Sequence, residues 1–308
     1  MKPITLQDYK QRLLRVLVQI QQQLDEPLSL GALARTAHFS PYHFHRVFKG
    51  MIGESVQSHI RRLRLERSAA QLKSTDWPVT QIALASCYET PEAFTRAFST
   101  MFGVSPSRFR ASRRPARPKP GKGAGSGVHY RNGRPLRDFK AASLAAGPMN
   151  ITVQTLPARR VAFVHHVGPY PECGAAWDTL GMFLGKEGRL GGDSLFIGIC
   201  HDDPEVTPPD KIRYDACVTV DDSFAPGGEI GVQTIAGGEY AVATHFGSYE
   251  TLGETYARLM GRWLPRSGRE MRSIPSFEVY VNDPNSTEPE DLLTDIHVPL
   301  EPTNQEYP

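Results

Sequence analysis

Two stretches of sequence, SPYHFHRVFKGMIGES at residues 40–55 and TPEAFTRAFSTMFGVS at residues 90–105, decide the fold of the first part of this 308-residue chain. In both stretches the apolar residues recur every three or four positions, which is the period of an amphipathic helix. Six residues of one stretch also recur in the other at an offset of 50. The matched residues are Phe44, Arg46, Phe48, Met51, Gly53 and Ser55 with Phe94, Arg96, Phe98, Met101, Gly103 and Ser105. The sequence therefore predicts one helical unit that occurs twice.

Each repeated helix carries a polar stripe opposite its apolar face. Ser40 is expected to cap the first helix, with Pro41 in its first turn, and Gly53 is expected to end it. An arginine on such a stripe suits the major groove of double-stranded DNA, where its guanidinium can pair bidentately with guanine. An ordinary solvated helix face is the alternative. The residues predicted to bind DNA are Tyr42, His45, Arg46, Lys49, Glu92, Thr95 and Arg96.

The two halves of the chain carry opposite net charge. Residues 1–150 hold 24 Lys and Arg against 9 Asp and Glu, whereas residues 151–308 hold 11 against 24. A basic segment attracts a polyanion such as DNA, and an acidic segment is repelled by it. We therefore expect the second half to have a different task from the first. A pair of ordinary domains with unequal isoelectric points is the alternative.

Changes in composition and period divide the chain into three segments. Residues 1–112 are predicted to form an all-α DNA-binding domain with two helix-turn-helix motifs. Residues 113–149 are basic and rich in proline and glycine, so they are predicted to be a linker without a core of its own. Residues 150–302 have a strand-like period with helical interruptions near 173–185 and 250–264. The predicted fold class is therefore multidomain, with an α+β domain after the helical one.

The predicted α+β domain contains a second duplication, at an offset of 79. Val153-Gln154-Thr155 recurs as Val232-Gln233-Thr234. Further matches are His166, Gly168, Tyr170 and Leu180 with His245, Gly247, Tyr249 and Leu259. Each copy reads as a β-β-α-β-β unit that cannot cover its own sheet, so the two are expected to pack about a pseudo-twofold axis. The seam between such halves is a natural ligand cleft.

Several classes of protein are disfavoured by the sequence. The cysteines Cys87, Cys173, Cys200 and Cys217 form no CxxC pair, which argues against a zinc knuckle. There is no P-loop and no GxGxxG that opens a helix, so no cofactor is expected. No stretch approaches the ~20 apolar residues of a membrane helix, and no signal peptide is recognisable, so a cytoplasmic protein without a membrane partner is expected.

The histidines of the second half invite a metal or catalytic interpretation, which the sequence disfavours. His165, His201 and His297 lack metal-ligand spacing. His166 and His245 are each followed by a glycine two positions later at a predicted strand end. We expect these two to form structural hydrogen bonds at the corner between strand and helix. No metal site and no catalytic residue is predicted.

Residues 8–110 resemble the AraC/XylS family of bacterial transcription regulators, through the duplicated helices and through GVSPSRFR at residues 103–110. The resemblance implies two helix-turn-helix units joined by a long central helix, with both recognition helices in major-groove segments ~34 Å apart. By the same resemblance Tyr42, His45, Arg46, Glu92 and Arg96 are the expected base readers, and RNA polymerase is a candidate partner. The family usually has glycine in the turn before each recognition helix, where this chain has His38 and Cys87.

Residues 150–300 resemble the GyrI-like effector-binding domain. The resemblance is carried by HHVGPY at 165–170, RYDACV at 213–218, GGEYAVATHFGSY at 237–249 and PSFEVYVN at 275–282. It implies a pocket between the repeats for a small, lipophilic and often cationic molecule, with Glu278 as the polar anchor.

The residues themselves are compatible with this pocket. Glu278 and Tyr280 share one face of a strand, and Phe277 takes the other. A carboxylate beside aromatic rings favours a cation through charge and cation–π attraction. A solvent-facing Glu278 is the alternative. The predicted ligand-binding residues are Glu278, Tyr280, Tyr170, Trp177 and Tyr249.

Three functions are consistent with these features. The first is a sequence-specific DNA-binding transcription regulator whose C-terminal domain senses a small molecule. In the second, the C-terminal domain is a hydrolase with Glu278 as general base and Tyr170 or Tyr249 as an orienting group. In the third, that domain only sequesters a drug. The first hypothesis accounts for both duplications, and it predicts a protein that is not an enzyme.

Overall fold

A computed structural model describes residues 5–112, 130–131, 134–135, 149–204 and 206–303. The chain forms two compact units. One comprises residues 7–41 and 48–143 and is called the helical unit here. The other comprises residues 1–6, 42–47 and 144–308 and is called the sheet unit. None of the helices in the described residues is both long enough and apolar enough to cross a membrane.

Seven helices occupy residues 6–111 and confirm the predicted helical N-terminal part. They are α1 (Leu6–Gln22), α2 (Leu30–Thr36), α3 (Pro41–Ile52), α4 (Val56–Ser74), α5 (Val79–Ala85), α6 (Pro91–Phe102) and α7 (Pro106–Ala111). The sequence order α2–α3, long α4, α5–α6 is that of two short helix pairs joined by a central helix. The duplicated stretches form α3 and α6, which have the same length of 12 residues.

Both duplicated helices end where the sequence predicts. Gly53 follows α3 with φ 89° and Gly103 follows α6 with φ 77°, the left-handed conformation that glycine adopts without steric cost. Pro41 lies in the first turn of α3 as expected. Ser40 occupies the cap position, but its side chain forms no capping hydrogen bond, whereas Thr90 of the second copy accepts one from the N–H of Ala93. The second helix is therefore capped more completely than the first.

The turns before α3 and α6 form although they lack the glycine that the AraC/XylS family usually has at this position. His38 and Cys87 adopt φ 53° and 57°, so each takes the left-handed conformation itself. In both turns the next residue donates its N–H to a carbonyl five positions back. These bonds are Phe39 to Ala34 (3.0 Å) and Tyr88 to Ala83 (3.2 Å). The two turns are therefore equivalent, and a side chain at φ > 0 costs each of them roughly 1 kcal/mol.

Aromatic side chains fill the core of the second helix pair. Phe94, Phe98, Phe102 and Phe109 are buried, and the rings of Phe98 and Phe102 have centroids 4.5 Å apart. The long helix α4 contributes Leu65 to this cluster. Burying a Phe or Leu side chain contributes about 1.5–3 kcal/mol, so this packing stabilises α6 far more than helix propensity does.

The predicted linker, residues 113–149, lies mostly outside the described residues. Its described part contains two short antiparallel strands, β1 (Tyr130–Arg131) and β2 (Arg134–Pro135).

The sheet unit contains an eight-stranded antiparallel sheet, which confirms the predicted α+β class. Its strands are β3 (Ile151–Leu156), β4 (Arg159–Val167), β5 (Phe196–Cys200), β6 (Arg213–Thr219), β7 (Gly231–Ile235), β8 (Gly238–Phe246), β9 (Phe277–Tyr280) and β10 (Leu293–Pro299). Helix α8 (Gly174–Lys186) separates β4 from β5. Helix α9 (Leu252–Arg258), a π-helical turn (Leu259–Trp263) and α10 (Leu264–Ser267) separate β8 from β9. Each copy is thus β-β-α-β-β, as predicted.

The strand order is β3-β8-β10-β9-β5-β6-β4-β7. The first copy contributes β3 to β6 and the second contributes β7 to β10. If each strand is replaced by its equivalent in the other copy and the order is read backwards, the same order results. The first strand of each copy pairs with the second strand of the other copy, β3 with β8 and β7 with β4. Each copy therefore completes the sheet of its partner, which explains why neither can cover its sheet alone. The pseudo-twofold axis passes between β5 and β9, the two strands that meet at the centre.

Two equivalent residues face each other across this axis. Gly198 pairs with Ala216, and Glu278 pairs in the same way with Ile296, so the offset between the copies is 80 in their second halves. Gly198 of β5 and Glu278 of β9 are also paired directly with each other. The centre of the sheet thus carries one carboxylate and, opposite it, one glycine.

Candidate functional site

Glu278 is buried at the centre of the sheet, with only 5% of its surface exposed. Its neighbour Phe277 points to the opposite face, where its ring packs against Tyr240 at a centroid distance of 5.2 Å. The carboxylate accepts hydrogen bonds from the hydroxyls of Tyr256 (3.0 Å) and Tyr280 (3.1 Å). The alternative of a solvent-facing Glu278 is therefore wrong, and the predicted sharing of one face by Glu278 and Tyr280 is confirmed.

The structure brings the other predicted aromatic residues to the same place. The ring of Tyr280 lies 5.4 Å from that of Tyr249 and 5.7 Å from that of Trp177. Tyr170 joins through Tyr214, whose ring is 5.7 Å away and whose hydroxyl lies 3.0 Å from that of Tyr280. We use the term aromatic cluster for the residues around Glu278. They are Tyr170, Trp177, Tyr214, Tyr249, Tyr256 and Tyr280.

Sequence reasoning missed two tyrosines of the aromatic cluster. Tyr256 lies 79 positions after Trp177, so the internal repeat could have identified it as the counterpart of a predicted residue. Tyr170 and Tyr249 form the same kind of pair. Tyr214 has no such aromatic counterpart, and only its alternation along β6 was available as a signal.

Gly198 leaves room for the aromatic cluster. A methyl group at this position would lie 2.6 Å from the hydroxyl oxygen of Tyr214, and it would also collide with the hydroxyl of Tyr280. A glycine inside a strand often marks the close approach of another group, and here that group is a pair of tyrosine hydroxyls. The glycine in the strand-like run SLFIGIC at residues 194–200 was the available sequence signal.

Burial controls the protonation of the groups around Glu278. It raises the pKa of Tyr256 and that of Tyr280 well above the usual value, so both hydroxyls stay protonated and donate to the carboxylate. Burial also raises the pKa of the Cys200 thiol, whose sulfur lies 3.4 Å from Oε1 of Glu278. A thiol of raised pKa is a weak nucleophile. The Glu278 carboxylate is therefore surrounded by protonated, uncharged side chains.

Segment 42–47, the first part of α3, belongs to the sheet unit. The Arg46 guanidinium lies 3.8 Å from the centroid of the Tyr256 ring. The Nδ1 of His45 lies 2.8 Å from a carboxylate oxygen of Asp203, and the Nε of Arg46 lies 3.7 Å from the same oxygen. The Nε2 of His43 lies 3.1 Å from the backbone oxygens of Arg272 and Ile274.

The predicted polar stripe of α3 is therefore only partly exposed in this structure. The side chains of His45 and Arg46 are 2% and 11% exposed, because they contact Asp203 and the Tyr256 ring. Tyr42 is exposed, and Lys49 is half-buried. The corresponding stripe of α6 has the expected character, with Glu92 and Arg96 exposed and Thr95 half-buried. The DNA-binding role of all seven residues stays a prediction.

The histidines at the strand ends have the predicted structural role. The Nε2 of His166 lies 3.2 Å from the backbone oxygen of Pro169. The Nε2 of His245 lies 3.1 Å from that of Ser248. Both bonds close the corner between a strand and the helix that follows it.

Two further histidines flank a carboxylate on the other face of the sheet. Asp215 follows Tyr214 in β6 and so points away from the aromatic cluster. His165 and His201 lie 2.5 Å and 2.8 Å from its oxygens. Burial alone would raise the pKa of Asp215, but hydrogen bonds from His201, His165 and Gln233 lower it to about 2. Asp215 is therefore an ionised structural anchor for the surrounding strands.

The two parts of the chain match known kinds of domain. Residues 149–301 match the GyrI-like small molecule binding domain, and residues 33–112 match a helix-turn-helix domain. The chain is 37% identical over 97 residues to the Right origin-binding protein of Escherichia coli (strain K12), a stretch that is 32% of this chain and 34% of that protein. The chain therefore spans about a third of the length of that relative.

Two further similarities extend the comparison. The chain is 36% identical over 109 residues, 35% of its length, to the Probable transcriptional regulator YgiV of Escherichia coli (strain K12), of which it covers 68%. The EcmrR–DNA complex in EcmrR-RPo, solved by cryo-electron microscopy, is similar with 20% identity and a TM-score of 0.44 over 50% of this chain and 57% of that chain. The chain belongs to the family of AraC-type helix-turn-helix transcriptional regulators that carry a C-terminal GyrI-like domain.

Proposed function

We propose that the protein is a sequence-specific DNA-binding transcription regulator and that Glu278 anchors a lipophilic cation as its effector. The observation that carries the ligand class is a single carboxylate, 5% exposed, whose oxygens accept from neutral tyrosine hydroxyls. Among the described residues no lysine or arginine forms an ion pair with it within 4.0 Å. A buried carboxylate without a cationic partner is unfavourable, and a bound cation would supply that partner.

The aromatic cluster supports the same ligand class. Ring faces attract a cation through their quadrupole, and this attraction contributes about 2 kcal/mol or more where water is excluded. Tyr249 and Trp177 approach Tyr280 with interplanar angles of 70° and 78°, so the aromatic cluster presents both ring faces and ring edges. A lipophilic organic cation would gain both apolar burial and charge attraction there, whereas a neutral analogue would gain only the burial.

The ligand class is tested with two probes of equal shape and opposite charge, tetraphenylphosphonium and tetraphenylborate. We expect calorimetry to detect binding of the phosphonium and no binding of the borate. Glu278→Gln keeps the shape of the side chain and removes its charge, and it should weaken phosphonium binding by about tenfold or more. Glu229→Gln, at an exposed position, is the matched control and should leave binding unchanged. Equal binding of both ions would refute the cation site.

The DNA-binding function rests on α3 and α6, whose arginines occupy equivalent positions of the duplicated helix. Fluorescence anisotropy with the DNA upstream of the chain's own gene, compared with scrambled DNA at several salt concentrations, tests it. We expect tighter binding to the native sequence and a steep salt dependence, because lysine and arginine displace condensed counterions. Equal affinity for both DNAs would remove the claim of specificity. RNA polymerase is a further proposed partner, since a regulator acts on the start of transcription.

Two other functions make different predictions for the same experiments. A hydrolase would convert its ligand, and the Glu278→Gln variant would lose that conversion. Recovery of unchanged ligand after prolonged incubation would exclude turnover of that ligand. A sequestering protein would bind the phosphonium without any change in DNA affinity, whereas a regulator requires a measurable coupling between the two.

A further inference from the structure

Arg46 presents its guanidinium, a flat organic cation, to the aromatic cluster of the sheet unit. It lies 3.8 Å from the centroid of the Tyr256 ring, and the hydroxyl of that ring donates to Glu278. The positive charge of Arg46 also opposes the rise in pKa that burial causes at Tyr170 and at Cys200, so it acts on the groups around the carboxylate. The proposed ligand and the Arg46 side chain are therefore both organic cations.

The contacts of segment 42–47 hold the guanidinium there. His45 and Arg46 both approach one oxygen of Asp203, and the ring of His43 reaches two backbone oxygens of residues 272 and 274. These contacts come from three of the six residues of the segment. Such a set of charge-assisted and neutral hydrogen bonds holds a side chain in one place, although each bond contributes only modestly to stability.

We propose that Arg46 is an internal ligand of the Glu278 site, and that an external cation and segment 42–47 compete for it. The inference rests on the proposed cation site. Because Arg46 is also a predicted base reader, an external cation that displaces it makes it available to DNA. Ligand binding then raises DNA affinity, and by linkage DNA binding raises ligand affinity by the same factor.

The first test changes Asp203, a residue outside the aromatic cluster and outside the predicted DNA-binding residues. Asp203→Asn removes the charge that holds His45 and Arg46 and leaves Glu278 and the aromatic cluster unchanged. It should strengthen both tetraphenylphosphonium binding and DNA binding, each by about tenfold, since removing one charged partner of a half-buried pair weakens the held state by that order. Asp210→Asn, an exposed neighbour in the chain, is the matched control and should change neither affinity. Unchanged affinities in Asp203→Asn would overturn the proposal.

A second pair of variants separates the two roles of the arginine. Arg46→Gln removes the internal ligand, so phosphonium binding should strengthen by about tenfold while DNA binding weakens. Arg96→Gln, the equivalent change in α6, should weaken DNA binding alone. A phosphonium affinity that is the same in both variants would contradict the competition.

A third measurement remains decisive if the protein binds no phosphonium at all, in which case the proposed ligand class fails. Phenylglyoxal modifies arginine, and mass spectrometry of the full chain can compare Arg46 with the exposed Arg96. Arg46 should react roughly tenfold more slowly, because its modification requires segment 42–47 to open first. Asp203→Asn should abolish that difference. Equal rates in the unaltered protein would overturn the internal ligand regardless of any external one.

Discussion

Arg46 of α3 and Arg96 of α6 hold equivalent positions in two copies of one helix, yet their surroundings differ. The first lies against the Tyr256 ring, whereas the second is exposed. The sheet unit shows the same contrast, since Glu278 of β9 faces its own counterpart, Gly198 of β5. In both duplications the repeat determines the architecture, and the difference between the copies determines the chemistry.

The largest effect is expected at the glycine that faces Glu278. Gly198→Ala places a methyl group 2.6 Å from the Tyr214 hydroxyl, so the rings of the aromatic cluster must move. We expect a loss of about 1–3 kcal/mol in the free energy of unfolding, together with weaker phosphonium binding, measured by urea denaturation and calorimetry.

Gly181→Ala is the control for this prediction. Gly181 lies inside α8 with no atom close to the added methyl group, so alanine should stabilise the protein by up to ~1 kcal/mol. If Gly198→Ala were as stable as the unaltered protein, the glycine would have no role in making space for the tyrosines.

The next largest effect separates the two arginines by their contribution to DNA affinity. Replacing either with alanine should cost about 1–3 kcal/mol of binding to the native site once both helices contact DNA. Without ligand, Arg46→Ala should cost less than Arg96→Ala, because Arg46 first has to leave the Tyr256 ring. Saturating phosphonium should make the two losses equal. If the difference in lost DNA affinity between Arg46→Ala and Arg96→Ala were the same with and without the phosphonium, the phosphonium would not release Arg46.

Acidification should loosen segment 42–47 through His43. Burial and the nearby charge of Arg46 lower the pKa of His43 from 6.5 to about 4, so the bound ring is neutral. Once the segment detaches, the ring takes up a proton below pH 6.5. The detached state therefore gains stability as pH falls from 6.5 towards 4, by about 2 kcal/mol at pH 5, and loses this gain above pH 6.5.

This pH effect is measured as the ratio of phosphonium affinities at pH 5 and pH 8. The unaltered protein should have a higher ratio than Arg46→Gln, in which no internal ligand has to detach. The comparison cancels the titration of other groups in the site, because they are the same in both proteins. Identical ratios would show that His43 does not hold the segment.

Much of this architecture could be predicted from the sequence, because residues that recur at a constant offset indicate that a structural unit occurs twice. The offsets of 50 and 79 predicted two copies of a helical unit and two copies of a β-β-α-β-β unit. Alternation in the last repeat predicted that Glu278 and Tyr280 share a face. The order of the strands could not be predicted, since alternation shows which face a residue occupies but not which strand lies beside it.

The contacts of Arg46 could not be predicted from the sequence either, because they too depend on which distant segments lie side by side. Its position on α3 follows from helical periodicity, but Tyr256 lies 210 positions away in the chain, and no local pattern links the two. Tyr256 itself could have been identified from the repeat as the counterpart of Trp177. A repeat therefore predicts equivalent residues well and predicts the differences between copies poorly, although those differences form the candidate site.

The smallest effect concerns the turns before α3 and α6, where the two copies are alike. His38 and Cys87 have φ 53° and 57°, a conformation that glycine adopts without the steric cost of a side chain. His38→Gly and Cys87→Gly should each stabilise the protein, by up to about 0.6 kcal/mol after the greater entropy of glycine in the unfolded chain is included. Thermal unfolding of the two single variants and the double variant measures this.

The gains should be similar in size and additive, because the turns lie in separate helix pairs with equivalent hydrogen bonds. Gly53→Ala and Gly103→Ala make the opposite change at the ends of α3 and α6, where φ is also positive, and should destabilise. A gain in only one turn would show that its side chain has a compensating contact, for example the Cys87 sulfur 3.8 Å from the backbone oxygen of Leu24. The two copies would then differ at the turn as well as in the surroundings of the arginine.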